Sequence, residues 1–389
     1  MLTDSLDRPV RDLRISVTDR CNFRCTYCMP LEAYEPLDRR ELLTFEEIAR
    51  LARIFLDLGV KEIRLTGGEP LLRRGLDELV RRLAALEGLE DLSLTTNGSL
   101  LLESLPALAG AGLRRINVSV DSLVPERFRS ITRGKDLARV LEGLFVARRL
   151  GLSPVKINTV IVRGVNDTEI LELVEFSRRH GFWLRFIEFM DAGNASGWRS
   201  DRLVPKREIL ERVRARFPLR ELGRMHGEAP AVDYEFADGG GRLGVIASVT
   251  EPFCSSCTRA RLTADGKLVT CLFAPGGHDL KGPLRAGAED AALAAIIRST
   301  WGARRPILRG TAGSHGIGPR LLRTRPSQDR NDPPGRVTSG RRARHRSYRR
   351  TSCRREAATD AAVRPRQASA AATWSMRSGR SGSSRLAAA

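Results

Sequence analysis

Six of the seven cysteines stand in two groups of three. Cys21, Cys25 and Cys28 follow the spacing C-x3-C-x2-C within Thr18-Asp-Arg-Cys-Asn-Phe-Arg-Cys-Thr-Tyr-Cys-Met29. Cys254, Cys257 and Cys271 follow C-x2-C-x13-C. Three thiolates can hold three irons of a four-iron cluster and leave the fourth iron open to a substrate or cofactor. Structural zinc takes four protein ligands, so a local triad fits it less well, and His278 lies outside the spacing of the second group. Disulfide frameworks belong to small secreted domains with even cysteine counts. Cys353 stands apart from both groups and reads as a stray thiol.

The elements around the cysteines alternate. A strand at Leu13–Val17 leads into the first triad. A helix at Leu42–Leu58 starts at Thr44, with Glu47 three residues on, and stops at Gly59. Strands follow at Glu62–Thr66, Asp91–Thr95, Arg115–Val120, Val155–Val162 and Leu184–Met190, separated by helical patterns at 71–86, 101–111, 137–150 and 168–180. This alternation predicts an α/β fold with a parallel sheet and helices outside it. A full eight-unit barrel takes about 250 residues. The units here end near Arg220, so a partial (β/α)6 barrel of the TIM type is expected, with a doubly wound open sheet as the alternative. Asp265-Gly266 between strand-like flanks predicts a hairpin that brings Cys271 back to Cys254 and Cys257.

In such barrels chemistry sits at the C-terminal ends of the strands. The first triad, Gly67-Gly-Glu-Pro70, Thr95-Thr-Asn-Gly98, Ser119-Val-Asp121 and Met190-Asp-Ala-Gly-Asn194 all follow or end predicted strands, and Lys156 lies within the fifth. Taken alone, Gly67-Gly-Glu-Pro70 is also a tight turn, and Met190 is also core filling. Gly68 would let a backbone come close to a ligand. Arg14, Arg64 and Lys156 alternate with apolar residues. On a solvated face they need nothing, but on an inward face each needs an anion.

The net charge of +20 is unevenly spread. From Gly302 to Ala389 there are 21 Arg, no Lys and four acids, a net of +17, which leaves about +3 for the first 301 residues. No apolar run reaches bilayer length, and the N-terminus lacks the pattern of a secretory signal. Clustered thiols fit a reducing cytoplasm. The expected division is 1–220 for the barrel, 221–301 for a module with the second triad, and 302–389 for a disordered Arg-rich tail.

The cysteine loop, with Tyr27 before its last cysteine, resembles the radical S-adenosylmethionine superfamily. Several further stretches narrow the resemblance: Arg11-Asp-Leu-Arg14, Gly67-Gly-Glu-Pro70, Thr95-Thr-Asn-Gly98, Asn117-Val-Ser-Val-Asp121, Phe186-Ile-Glu-Phe-Met-Asp191, and above all Cys254-x2-Cys257-x-Arg259-x-Arg261-Leu-Thr263. Across about Leu6 to Trp301 the chain resembles the GTP 3′,8-cyclase family, the lyases that open molybdenum cofactor biosynthesis. The resemblance implies two 4Fe-4S clusters on the two triads and S-adenosylmethionine on the first. Tyr27, Gly68, Ser119 and Met190 would line the S-adenosylmethionine site, with the Gly67–Pro70 stretch supplying backbone contacts and a carboxylate to its ammonium. The second cluster would hold guanine. Arg14, Arg64, Thr95, Lys156, Arg259 and Arg261 would receive the rest of GTP. A 5′-deoxyadenosyl radical would take hydrogen from C3′, and C3′ would then bond to C8. Further implied partners are an electron donor such as flavodoxin or ferredoxin and a downstream cyclic pyranopterin monophosphate synthase, and the assembly admits a homodimer.

The resemblance also implies a terminal Gly-Gly, whereas this sequence ends Leu386-Ala-Ala-Ala389. Arg without Lys after Gly302 reads as translation in a shifted frame of a GC-rich gene, with weak cyclisation expected. DNA sequencing that finds an intact frame across codons 295–310 removes that reading. A radical enzyme acting on peptides and an Arg-rich nucleic-acid binder are the rival functions. GTP titration separates the first, and salt-sensitive binding that survives loss of both triads marks the second.

Overall fold

A computed structural model describes residues 1–28, 35–133, 136–191, 198–274 and 276–304. Six parallel strands appear where alternation placed them: β1 (Asp12–Ser16), β2 (Glu62–Thr66), β3 (Asp91–Thr96), β4 (Arg115–Ser119), β5 (Val155–Ile161) and β6 (Trp183–Glu188). Between them run α1 (Phe45–Asp57), α2 (Leu76–Ala84), α3 (Leu101–Gly110), α4 (Pro125–Thr132), α5 (Leu137–Arg149) and α6 (Ile170–His180). The reciprocal cap expected at Thr44 is present. Its hydroxyl accepts from Glu47 N–H at 3.2 Å, and the Glu47 carboxylate accepts from Thr44 N–H at 2.7 Å. Helix α4 was not expected. It is short and mostly polar, and starts with Pro125 in its first turn, where a missing N–H costs nothing.

Each strand sorts its residues by parity. Leu13 and Ile15, Ile63 and Leu65, and Ile116 and Val118 are fully buried in an apolar core shared with Ile48, Leu51 and Phe55 of α1. Burying a Leu, Ile or Phe contributes about 1.5–3 kcal/mol. A slip of one residue would turn every such side chain to the other face, so the apolar parity fixes the polar one. Arg14, Arg64, Ser93, Thr95, Asn117, Ser119, Lys156, Asn158 and Arg185 share the opposite parity.

The remaining elements are α7 (Lys206–Arg214), β7 (Leu219–Gly223), β8 (Val232–Phe236), β9 (Arg242–Ile246), β10 (Arg259–Leu262), β11 (Lys267–Val269), β12 (His278–Asp279), α8 (Lys281–Arg285) and α9 (Asp290–Gly302). The strands among them join the main sheet. Its order is β12-β11-β10-β1-β2-β3-β4-β5-β6-β9-β8-β7. Strand β10 runs parallel to β1 and β9 runs parallel to β6. The partial barrel is therefore flanked on both edges by strands from the C-terminal half. The expected hairpin joins β10 to β11, with Gly266 in the left-handed region at φ +79°.

The compositional step was placed at Gly302, yet α9 runs through Gly302, and Arg304 is only 6% exposed. Residues 305–389, with Cys353, lie outside the described residues, as do Ala192, Gly193 and Asn194. No helix among the described residues is long and apolar enough to cross a membrane.

Candidate functional site

The first triad sits on the loop after β1, and the loop after β2 holds it in place. Gly68 N–H donates to Thr18 O at 2.8 Å and Glu69 N–H to Arg20 O at 2.7 Å. A β-carbon at Gly68 would stand 2.2 Å from Arg20 O, and one at Gly67 2.5 Å from Thr18 O. The two glycines are thus required by a backbone-to-backbone seam. This gives Gly68 a reason other than close approach to a ligand.

Glu69 turns into the protein. It is 1% exposed, and its carboxylate accepts from Thr96 Oγ1 at 2.6 Å, Asn97 N at 2.7 Å and Leu71 N at 3.1 Å. Burial raises it to about 7 against those three donors. The resemblance had implied a carboxylate facing an ammonium. Here the carboxylate ties the second loop to the third. Asn97 continues the chain of contacts, donating to Asn22 Oδ1 at 2.9 Å and toward Cys21 Sγ at 3.8 Å.

Tyr27 crosses to the segment after β4, and its hydroxyl donates to Asp121 Oδ2 at 2.6 Å. Asp121 is buried, which lifts it to about 6, and it also accepts from Val160 N at 2.9 Å. All three thiols of this triad are pushed upward, Cys21 by burial first. Burial raises Cys25, with Asp121 adding to it. Burial raises Cys28 to about 11, with Cys21 and Asp121 adding.

The second triad has the opposite surroundings. Burial raises Cys257, but Arg259 and Arg304 outweigh it and bring the thiol to about 6. Arg259 Nη2 donates to Cys257 Sγ at 3.0 Å. Cys254, Cys257 and Cys271 line one cavity with Arg8, Arg14, Arg259, Arg261, Arg304 and Met190. Ile187 of β6 and Ile246 of β9 line it as well, so both flanks of the sheet face the same space. The six cysteines of the two triads are free thiols.

Both triads fit iron–sulfur clusters. Among the described residues no three His, Cys, Asp or Glu side chains converge on a single ion. A four-iron cluster asks for something else, soft thiolates that each take a different iron. The cavity also fits an anion. Arg14 Nε and Arg261 Nη1 are buried with no hydrogen-bond partner, and an unpaired buried donor is costly unless a ligand completes it.

Arg64 Nε reaches Ser93 Oγ at 3.2 Å. Lys156 is the second residue of β5, so it lies at the start of its strand and away from the C-terminal rim. Its ammonium stands 4.8 Å from the Trp183 ring centre, and burial, helped by Arg185 and Arg115, lowers it to about 7. Thr95 is the penultimate residue of β3 and Ser119 the last of β4, and they share one parity. Sequence reasoning did not single out Arg185, Asn158, Arg8 or Arg304. Parity along β5 and β6 carried a signal for Asn158 and Arg185. Nothing local pointed to the other two.

Residues 15–177 match the Radical SAM superfamily, and residues 182–309 match Molybdenum Cofactor Synthesis C. A GTP 3′,8-cyclase of Acidothermus cellulolyticus is 50% identical over 312 residues, covering 78% of this chain and 86% of the relative. The chain belongs to the GTP 3′,8-cyclase family. A cyclase of Staphylococcus aureus is 45% identical over 306 residues, covering 77% of this chain and 90% of the relative. Among solved structures, Streptococcus suis SuiB bound to S-adenosylmethionine aligns with a TM-score of 0.54 at 16% identity, over 75% of this chain and 68% of that one. That likeness supports the radical SAM fold of the cyclase family and nothing finer.

Proposed function

We infer that this chain cyclises GTP to (8S)-3′,8-cyclo-7,8-dihydroguanosine 5′-triphosphate, the first step of molybdenum cofactor biosynthesis, using two 4Fe-4S clusters and S-adenosylmethionine. The observation that carries this reading is one cavity holding the second cysteine triad together with Arg14, Arg259 and Arg261. When bound, the first cluster and S-adenosylmethionine supply a radical that removes hydrogen from C3′ of GTP.

The chain's own residues bind and orient. Cys21, Cys25 and Cys28 ligate the first cluster, and Cys254, Cys257 and Cys271 ligate the second. Tyr27, Gly68, Ser119 and Met190 line the S-adenosylmethionine site. Arg14, Arg64, Lys156, Arg259 and Arg261 receive the triphosphate, where guanidinium forks match phosphate oxygens, and Thr95 contacts the nucleotide. Holding the ribose within reach of a short-lived radical is the positioning role catalysis needs. Residues 1–220 carry the first cluster and residues 221–301 carry the second, and both contribute residues to the GTP site. The enzyme works in the cytoplasm with an electron donor such as flavodoxin or ferredoxin, in an assembly compatible with a homodimer, and passes its product to cyclic pyranopterin monophosphate synthase.

Anaerobic incubation with GTP, S-adenosylmethionine and reductant, followed by mass analysis, tests this. A product isomeric with GTP is expected, in smaller amount than the 5′-deoxyadenosine formed with it. Failure of the reconstituted chain to bind GTP in a direct titration would overturn the substrate assignment.

A further inference from the structure

Two arginines from opposite ends of the described chain grip the backbone of the second triad. Arg8 Nη1 donates to Cys254 O at 2.6 Å, and Arg304 Nη1 donates to Cys257 O at 2.6 Å. One carboxylate orients both. Asp4 accepts from Arg8 Nε at 2.7 Å and pairs with Arg304 at 3.5 Å. The side chains of Arg8 and Arg304 are each 4% exposed and that of Asp4 is fully buried. Trp301 Nε1 donates to Arg8 O at 3.2 Å, which locks the end of α9 to the N-terminal segment.

A brace alone would not need these residues. Burying ions costs more than burying apolar groups of similar volume unless the charges are balanced. Two guanidinium groups against one carboxylate leave a buried net charge of +1, facing a cavity lined by three thiols. Charge and hydrogen bonds around a cluster set its reduction potential, and outer residues orient its ligands.

We propose that Asp4, Arg8 and Arg304 form a positioning clamp that fixes the C-x2-C turn of the second triad and sets the reduction potential of the cluster bound there through its net positive charge. The clamp rests on the reading that Cys254, Cys257 and Cys271 hold a cluster.

The test is a redox titration of the full reconstituted chain followed by electron paramagnetic resonance. The second cluster is the signal lost in the Cys254→Ser/Cys257→Ser/Cys271→Ser variant. Arg304→Gln keeps a donor for Cys257 O but removes a positive charge, so the second cluster's midpoint should move negative. Arg304→Lys keeps the charge and should restore it. Asp4→Asn removes the compensating negative charge and should move the midpoint positive. The first cluster's midpoint should stay put in all three. Opposite signs separate a charge effect from a merely structural one, and Asp4→Asn keeps the test open if Arg304→Gln fails to fold. Unchanged midpoints, or shifts of the same sign in Asp4→Asn and Arg304→Gln, would overturn the clamp. If the triple serine variant keeps both signals, the cluster assignment itself fails instead.

Discussion

Arg14 and Arg261 are register partners across the parallel pair β1–β10, and Arg64 is the register partner of Arg14 on its other side. Three guanidinium groups thus stand in one row across three strands. Like charges directly opposite one another destabilise a sheet. Arg14 shows the strain, since burial and then Arg64, Arg259 and Arg261 push it well below the usual arginine range. A polyanion would relieve all three.

Arg261→Gln should therefore weaken GTP binding by about 10- to 150-fold, the loss of one charged hydrogen bond of roughly 1.5–3 kcal/mol. Arg261→Lys should fall between, because it lacks the planar fork. Titration calorimetry on reconstituted protein reads the affinity, and iron content should not change. Binding like the parent in Arg261→Gln would place the triphosphate elsewhere.

Gly68→Ala should damage the first cluster and spare the second. The added carbon meets the Arg20 carbonyl at 2.2 Å, and that carbonyl belongs to backbone that cannot swing aside like a side-chain tip. Reconstitution should give about half the parental iron, with cleavage of S-adenosylmethionine lost. Full iron and full cleavage in Gly68→Ala would show that the seam is not needed.

Lys156 should take up a proton when GTP binds. Its ammonium is held near 7 in the free protein by burial, with Arg185 and Arg115 adding to it. Above pH 7 it is mostly neutral, and a triphosphate favours the charged form. Affinity should fall as pH rises from about 7 toward about 10.4, by at most about tenfold per pH unit from this one group. Calorimetry at pH 8.5 in two buffers of different ionisation heat should show an uptake near one proton, absent in Lys156→Met. Equal heats in both buffers for the parent chain would remove Lys156 from the phosphate site.

Anaerobic reconstitution of the parent should yield about eight irons per chain, four for each triad. Replacing Cys254, Cys257 and Cys271 with Ala should halve this while S-adenosylmethionine is still cleaved. Stoichiometric zinc, or iron unchanged by the triple replacement, would contradict two clusters.

Much of this site could be read from the chain itself. Ligand chemistry is local. Cys21, Cys25 and Cys28 lie within eight residues, and Cys254, Cys257, Arg259 and Arg261 within another eight. Period-two alternation also told which strands exist, because the apolar parity of β1 to β6 must be buried. The capping box at Thr44 and the turn at Asp265-Gly266 were equally local. What the sequence could not decide was which distant strands meet. Only the tertiary structure lays β10 against β1, sets Arg261 beside Arg14, and brings β9 against β6 so that both flanks face one cavity. It also turned Glu69 toward Thr96 and Asn97, gave Gly68 a protein backbone as its close neighbour, and joined Asp4 to Arg304 across 300 positions. Pairings of that kind are set by packing the whole sheet, and their energy belongs to no short stretch of sequence.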